Sequence, residues 1–194
     1  MKYDVFQQQA IQHINDNETV IVSAPTGAGK TVIAEYAIDH ARRQNKQAIY
    51  TSPIKALSNQ KYRDFRDRYG HETVGILTGD VSLNPYAPIL IMTTEIYRNT
   101  LFDNPERLTH VSWVIFDEVH YLDDLERGTV WEESIMFSPE HINFIGLSAT
   151  VPNIKEFAEW IHSIHQRPIN VVTEKKRPVP LKHRFQCQGR IQYS

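Results

Sequence analysis

Along this chain, short apolar runs alternate with longer stretches whose apolar positions recur every three or four residues. The runs predict strands at 19–23 (TVIVS), 47–52 (QAIYTS), 71–77, 89–92 (ILIM), 112–116 (SWVIF), 143–147 and 169–172. The periodic stretches predict helices over 3–14, 31–43, 54–69, 94–102, 128–137 and from Asn153 to His165. The first of these keeps Phe6, Ala10, Ile11 and Ile14 on one face behind a plausible cap at Asp4, and the last keeps Ile154, Phe157, Ala158 and Ile161. Gly79, Pro85 and Pro88 make 78–88 read as a loop, and Asn15–Asn17 as a turn.

Strands alternating with helices predict an α/β fold, with a mostly parallel central sheet covered by helices on both faces. In such sheets ligands bind beyond the carboxyl ends of the strands. The polar clusters at 24–31, 52–55, 93–94, 117–120 and 148–150 all fall at those ends. One edge of the sheet is therefore expected to carry the chemistry. Tyr62, Phe65 and Tyr69, spaced three and four apart, predict core packing rather than base stacking, as do Trp131 and Trp160.

Length and composition add bounds. The chain has 194 residues, 41% of them apolar, which suits one domain with a short tail. No apolar run approaches the roughly 20 residues of a membrane span, and the first ten residues lack the apolar core of a signal peptide. One cysteine, Cys187, excludes an internal disulfide, and no Cys/His cluster points to zinc. The expectation is an intracellular protein without membrane partners: cytoplasmic if prokaryotic, nuclear or cytoplasmic if eukaryotic. A formal net charge of −2 argues against a generally basic nucleic-acid coat protein, but not against a local groove of backbone amides and a few cations.

The strongest chemical signal is APTGAGKT at 24–31, between a strand and a helix. Gly27 and Gly29 allow a tight turn that exposes backbone N–H groups, and the helix dipole adds positive potential for phosphate oxygens. In such a loop Lys30 reaches the terminal phosphates and the Thr31 hydroxyl sits on Mg2+, while Pro25, Thr26 and Ala28 complete the cradle. Ala24 stands where the general pattern has glycine. A second signal is Asp117-Glu118 at the end of an apolar strand. One carboxylate can hold magnesium through water and the next can polarise an attacking water.

Together APTGAGKT (24–31), TSPIKALSNQKY (51–62), TGD (78–80), TTEIYRN (93–99), DEVH (117–120) and SAT (148–150) occur in an order that resembles the first RecA-like domain of a superfamily 2 DExH-box helicase. DEVHYLDDLERGTVWEE (117–133), LSATVPNIKEFAEWI (147–161) and RPVPLKH (177–183) resemble the Ski-two-like RNA helicases, the branch that feeds RNA to the exosome. The resemblance covers nearly the whole chain. It implies a RecA-like three-layer sandwich over 1–181, with 182–194 starting a linker toward a second RecA-like domain. It implies ATP and Mg2+ as cofactors, with Lys30, Asp117 and Glu118 catalytic and Thr31 and Asp117 at the metal. His120, Ser148 and Thr150 match positions that couple hydrolysis to strand separation. Pro53, Lys55, Gly79, Thr93 and Thr94 match positions lining the backbone of single-stranded RNA, without reading its sequence. Gln7 is similar to an adenine-reading glutamine; its other reading is a surface helix residue, since three adjacent glutamines leave the register open. Arg127 reads as a brace for the acidic loop.

The same resemblance sets expectations for the fragment. The family has an adenine-stacking aromatic upstream of the Gln7 position, and in a chain starting at Met1 that residue is expected to be missing or replaced. The second domain would supply the arginines that complete the ATP site. A monomeric first domain is then expected to bind nucleotide weakly, hydrolyse it slowly and not unwind. Its implied partners are RNA, the second RecA-like domain and an RNA-decay complex. Two other functions stay open: a DNA helicase of the related repair branch, and a nucleotide-gated binding platform that does not hydrolyse.

Overall fold

The computed structural model describes residues 3–119, 128–151, 153–179, 184–187 and 190–193. The elements run α1 (Val5–Asn15), β1 (Thr19–Ser23), α2 (Lys30–Arg43), β2 (Gln47–Ser52), α3 (Lys55–Tyr69), β3 (Val74–Leu77), β4 (Ser82–Leu83), β5 (Ile89–Thr93) and α4 (Thr94–Asp103). After a short 3-10 turn come β6 (Val111–Asp117), α5 (Gly128–Met136), β7 (Asn143–Ser148), α6 (Ile154–His165) and β8 (Ile169–Thr173). A separate antiparallel pair, β9 (Arg184–Cys187) and β10 (Arg190–Tyr193), follows.

Eight strands form one sheet in the order β4-β3-β5-β2-β6-β7-β1-β8. Every neighbouring pair is parallel except β3 and β4. Strand alternation sorts the side chains into two cores. Val20, Val22, Tyr50, Trp113 and Ile115 face α1, α2 and α3, where Phe6, Ile14, Ile33, Ile38 and Phe65 meet them. Ile21, Ile49, Val114, Phe116 and Phe144 face α4, α5 and α6, where Tyr97, Leu101, Trp131, Ile135 and Ile161 meet them. The result is the three-layer α/β sandwich expected from the alternation of periods.

Phe65 is in the core and Tyr62 and Tyr69 pack against it, as their spacing predicts. Trp131 is buried, and Trp160 packs against the opposite core. Two differences from the expected elements have local causes. The loop at 78–88 contains β4, which folds back on β3 with Ile76 opposite Leu83 through a turn closed by the Thr78 N–H donating to the Val81 carbonyl at 2.9 Å; Asn84, just after β4, has φ 44°. The segment read as linker carries the β9–β10 pair. Arg-Phe-Gln-Cys and Arg-Ile-Gln-Tyr each alternate polar and apolar residues, a period-2 signal that was there to be read.

Backbone crowding fixes one glycine of β3. A Cβ added at Gly75 would run into the carbonyl oxygen of Asn84, which is backbone and cannot swing away. Gly75→Ala should therefore destabilise the fold by about 1–3 kcal/mol, the usual scale of overpacking. A urea unfolding curve with an unchanged slope and a lower midpoint is the expected readout.

Candidate active site

The chemistry collects where the parallel strands end. Read along that edge, the order β3-β5-β2-β6-β7-β1 places Gly79, Thr93 and Pro53 on one half. Asp117, Ser148 and the 24–31 loop lie on the other. The chain visits these loops in a mixed order; the sheet sorts them. β6 and β1 are separated by β7 alone, so their ends lie two strand spacings apart, about 10 Å.

The loop after β1 is held by its neighbours. The Ala24 N–H donates to the Ser148 carbonyl at 3.1 Å, and the Ser23 hydroxyl donates to the Ala149 carbonyl at 3.2 Å. Ala24 is fully buried and belongs to the core on the α1–α3 side, so here a methyl group fills space that glycine would leave. Gly27 and Gly29 adopt φ of +83° and +90°, a region that side-chain-bearing residues avoid. Gly29 is the N-cap of α2 and no side chain caps that end. The first-turn N–H groups of α2 thus open onto the loop, as an anion cradle requires.

Lys30, the first residue of α2, is half-buried. Its ammonium donates to the carbonyls of Ala24 at 2.8 Å and Pro25 at 3.4 Å. Burial lowers its pKa, and the nearby Glu118 and Asp117 carboxylates partly oppose that shift. Lys30 therefore feels both acids from across the edge. The Thr31 hydroxyl accepts from Lys61 Nζ at 3.3 Å.

Asp117 ends β6. Its Oδ1 accepts the Glu118 N–H at 3.0 Å, and its Oδ2 accepts the Tyr50 phenol. Burial first, then the Asp117 carboxylate, push Tyr50 well above the ordinary phenol range, so it stays a donor. Glu118 takes φ +58°, a left-handed backbone that turns the chain directly after the strand. Gln7 is buried rather than on the helix surface. Its Nε2 donates to the Gly29 carbonyl at 3.1 Å, and its Oε1 accepts the Asp4 N–H at 2.9 Å. Among Gln7, Gln8 and Gln9, Gln7 is the one that is buried and tied to the loop.

Of the coupling residues, Ser148 is buried, with its hydroxyl unpartnered among the described residues, and Thr150 is exposed. His120 lies outside the described residues, as does Arg127. On the other half of the edge, Pro53, Lys55, Gly79 and Thr93 line one open cleft of about 440 Å³ with Ile54, Glu95 and Ile96. The N-termini of α3 and α4 both begin at this cleft, after Ile54 and Thr93. Lys55 pairs with Asp80 at 2.5 Å, both exposed. A Cβ at Gly79 would make only ordinary contact with Lys55, so packing does not demand glycine there. Thr94 is set apart: it is buried behind the cleft, and its hydroxyl has no partner among the described residues.

Tyr50 and Lys61 are the members that the motif reading missed. A tyrosine in an inner strand, two residues before the strand's end, was the available signal for the first. The donor set fits a magnesium–nucleotide group. One hydroxyl and one carboxylate leave room for phosphate and water oxygens, which Mg2+ prefers to an all-protein cage.

The DEAD/DEAH box helicase family matches residues 4–157. The chain is 57% identical over 180 residues to mouse superkiller complex protein 2, covering 93% of the chain and 14% of that protein. It is 54% identical over 179 residues to the antiviral helicase SKI2 of Saccharomyces cerevisiae (92% of the chain, 14% of the relative), and 52% identical over 180 residues to human exosome RNA helicase MTR4 (93% and 17%). The chain thus spans less than a fifth of each. Among solved structures, the Mycobacterium smegmatis helicase Lhr bound to single-stranded DNA and AMP-PNP superposes with a TM-score of 0.71 at 31% identity. That match covers 88% of this chain and 25% of Lhr. The helicase MrfA bound to DNA shares the fold with a TM-score of 0.71 at 20% identity, over 89% of this chain and 27% of MrfA.

The tether between α1 and the loop is open to a mutant cycle. A Cβ at Gly29 would lie 2.7 Å from Gln7 Nε2, and the backbone there is left-handed. Gly29→Ala should cost about 1–2 kcal/mol of stability from the backbone alone. It should cost roughly 0.5–1 kcal/mol more when Gln7 is present than in a Gln7→Ala background. Thermal or urea unfolding of the four proteins measures the coupling; strict additivity would refute it.

Proposed function

Because this chain belongs to the DEAD/DEAH box helicase family, in its Ski-two-like branch, and forms the first RecA-like domain, we propose that it is the ATP-binding half of an ATP-dependent RNA helicase. The observation that carries this reading is the meeting of the 24–31 loop and the Asp117-Glu118 pair at one sheet edge, where Lys30 senses both carboxylates. Gly27, Gly29 and the first turn of α2 would cradle the phosphates, along with Pro25, Thr26 and Ala28. Lys30 would turn from the Ala24 and Pro25 carbonyls to the terminal phosphate. Thr31 and Asp117 would hold Mg2+, which neutralises charge on the phosphate oxygens when bound. Glu118 Oε would orient the attacking water and accept its proton. Gln7 keeps one amide hydrogen and one lone pair beyond its bonds to Gly29 and Asp4, enough to pair with an adenine edge.

Pro53, Lys55, Gly79 and Thr93 would receive the RNA backbone in the 440 Å³ cleft. Two helix N-termini and one lysine suit phosphates and sugars, and carry no sequence information. Thr94 would serve through its backbone at the start of α4. Ser148 and Thr150, beside the loop, would couple the two halves with His120. An arginine from a second RecA-like domain stabilises the transferring phosphoryl in this reading, a contribution of about three to five powers of ten in related phosphate-loop enzymes. Residues 1–181 would make up the ATP-binding domain, with the β9–β10 pair after it.

A DNA helicase is the second reading. The 31% identity to Lhr bound to single-stranded DNA favours it, while identities above 50% to superkiller and exosome RNA helicases favour RNA. Unwinding of matched RNA and DNA duplexes by the full-length protein decides between them: RNA should be preferred, and preferential DNA unwinding overturns the choice.

The 194-residue chain should bind ATP with Mg2+ and turn it over slowly, with little stimulation by RNA. RNA-stimulated steady-state hydrolysis at the rate of a two-domain helicase would contradict this. Lys30→Ala should abolish nucleotide binding measured by calorimetry. A nucleotide-gated platform would instead keep its RNA or protein partner after the same change.

A further inference from the structure

Tyr50 is completely buried in β2, yet its one polar atom reaches the edge of the sheet and donates to Asp117 Oδ2. The Glu118 N–H takes Oδ1 at 3.0 Å. A carboxylate with one donor on each oxygen cannot rotate without losing both bonds, and only its remaining lone pairs are available to a ligand. The phenol is itself closely packed. Phe65 of α3 meets its ring edge-on, with centroids 5.3 Å apart, and the Lys61 ammonium stands 5.7 Å over its face. The same Lys61 donates to Thr31 Oγ1. Helix α3 thus stands behind both side chains assigned to magnesium.

We propose that Tyr50 is a positioning residue for magnesium, its phenol fixing the plane of the Asp117 carboxylate so that the free lone pairs face the phosphate loop. This rests on the magnesium–nucleotide reading above. Tyr50 does not touch the nucleotide or the metal. It acts through Asp117, in the way that outer partners of metal ligands set affinity, typically by 10–100-fold. The competing account is that Asp117 merely satisfies a buried hydroxyl.

The two accounts differ in what magnesium does. The 194-residue chain is titrated with Mg2+ in the presence of a fluorescent ADP analogue, and separately with the analogue in EDTA. Tyr50→Phe keeps the ring and removes the donor. It should raise the Mg2+ concentration at half-saturation about tenfold or more and leave metal-free nucleotide binding unchanged. In an Asp117→Asn background the same substitution should have no further effect on the magnesium midpoint. Phe65→Leu, which loosens the ring's packing but spares its hydroxyl, should lower thermal stability and move the magnesium midpoint by less than about threefold. If Tyr50→Phe titrates like the parent, or Phe65→Leu shifts the midpoint equally, the positioning role is overturned and the nucleotide reading stands. If Tyr50→Phe loosens the fold, an unabated shift in the Asp117→Asn background likewise overturns it. If the parent chain shows no magnesium-linked binding, the nucleotide reading fails and this inference falls with it.

Discussion

The constraint on which this structure depends is parallel strand direction. Seven of the eight strands of the main sheet run the same way, so every strand-to-helix connection in the functional set opens at one edge. Apolar burial drives that arrangement, because strands such as β1 and β5 are buried along their whole length and need helices on both faces. The polar residues at their ends are then brought within reach of one another as a consequence of packing.

Strand order does something that strand direction alone does not. Along the chain, the three loops of the open cleft fall between the 24–31 loop and the Asp117-Glu118 pair. In the sheet, β6, β7 and β1 are contiguous, as are β3, β5 and β2. β2 and β6 are the seam, and it is across this seam that Tyr50 reaches Asp117. The boundary between the two halves of the edge is therefore bridged by a part-buried hydrogen bond. A neutral donor suits that place: it offsets the carboxylate without adding a full charge to the interior.

Much of this was legible in the chain. The apolar runs placed seven strands to within a few residues, since each is bounded by a turn residue or a polar cluster, as β2 is by Pro53. APTGAGKT and Asp117-Glu118 lay where strand ends predicted them. What periodicity could not show was anything decided by pairing across the fold. β4 exists because the 78–81 turn, where the Thr78 N–H donates to the Val81 carbonyl at 2.9 Å, brings the chain back onto β3, and two residues carry too short a pattern. Gln7 was ambiguous among three glutamines because burial, not sequence, selects the one that meets Gly29. Thr94 looked equivalent to Thr93 in the sequence, yet the first residue of α4 turns its hydroxyl inward. Tyr50 read as one more apolar strand residue because its function lies in a single atom at the end of the ring.

Helix α3 begins beside the open cleft, where Lys55 meets Asp80, and six residues later Lys61 touches Thr31. At 1.5 Å per residue those two lysines are separated by about 9 Å of axial rise. Phe65 and Ser58 hold the helix between them, the latter through its bond to Ser52 at 2.7 Å. One helix thus carries a lysine at the open cleft and a lysine on the Thr31 hydroxyl, so a displacement of α3 would alter the surroundings of both at once.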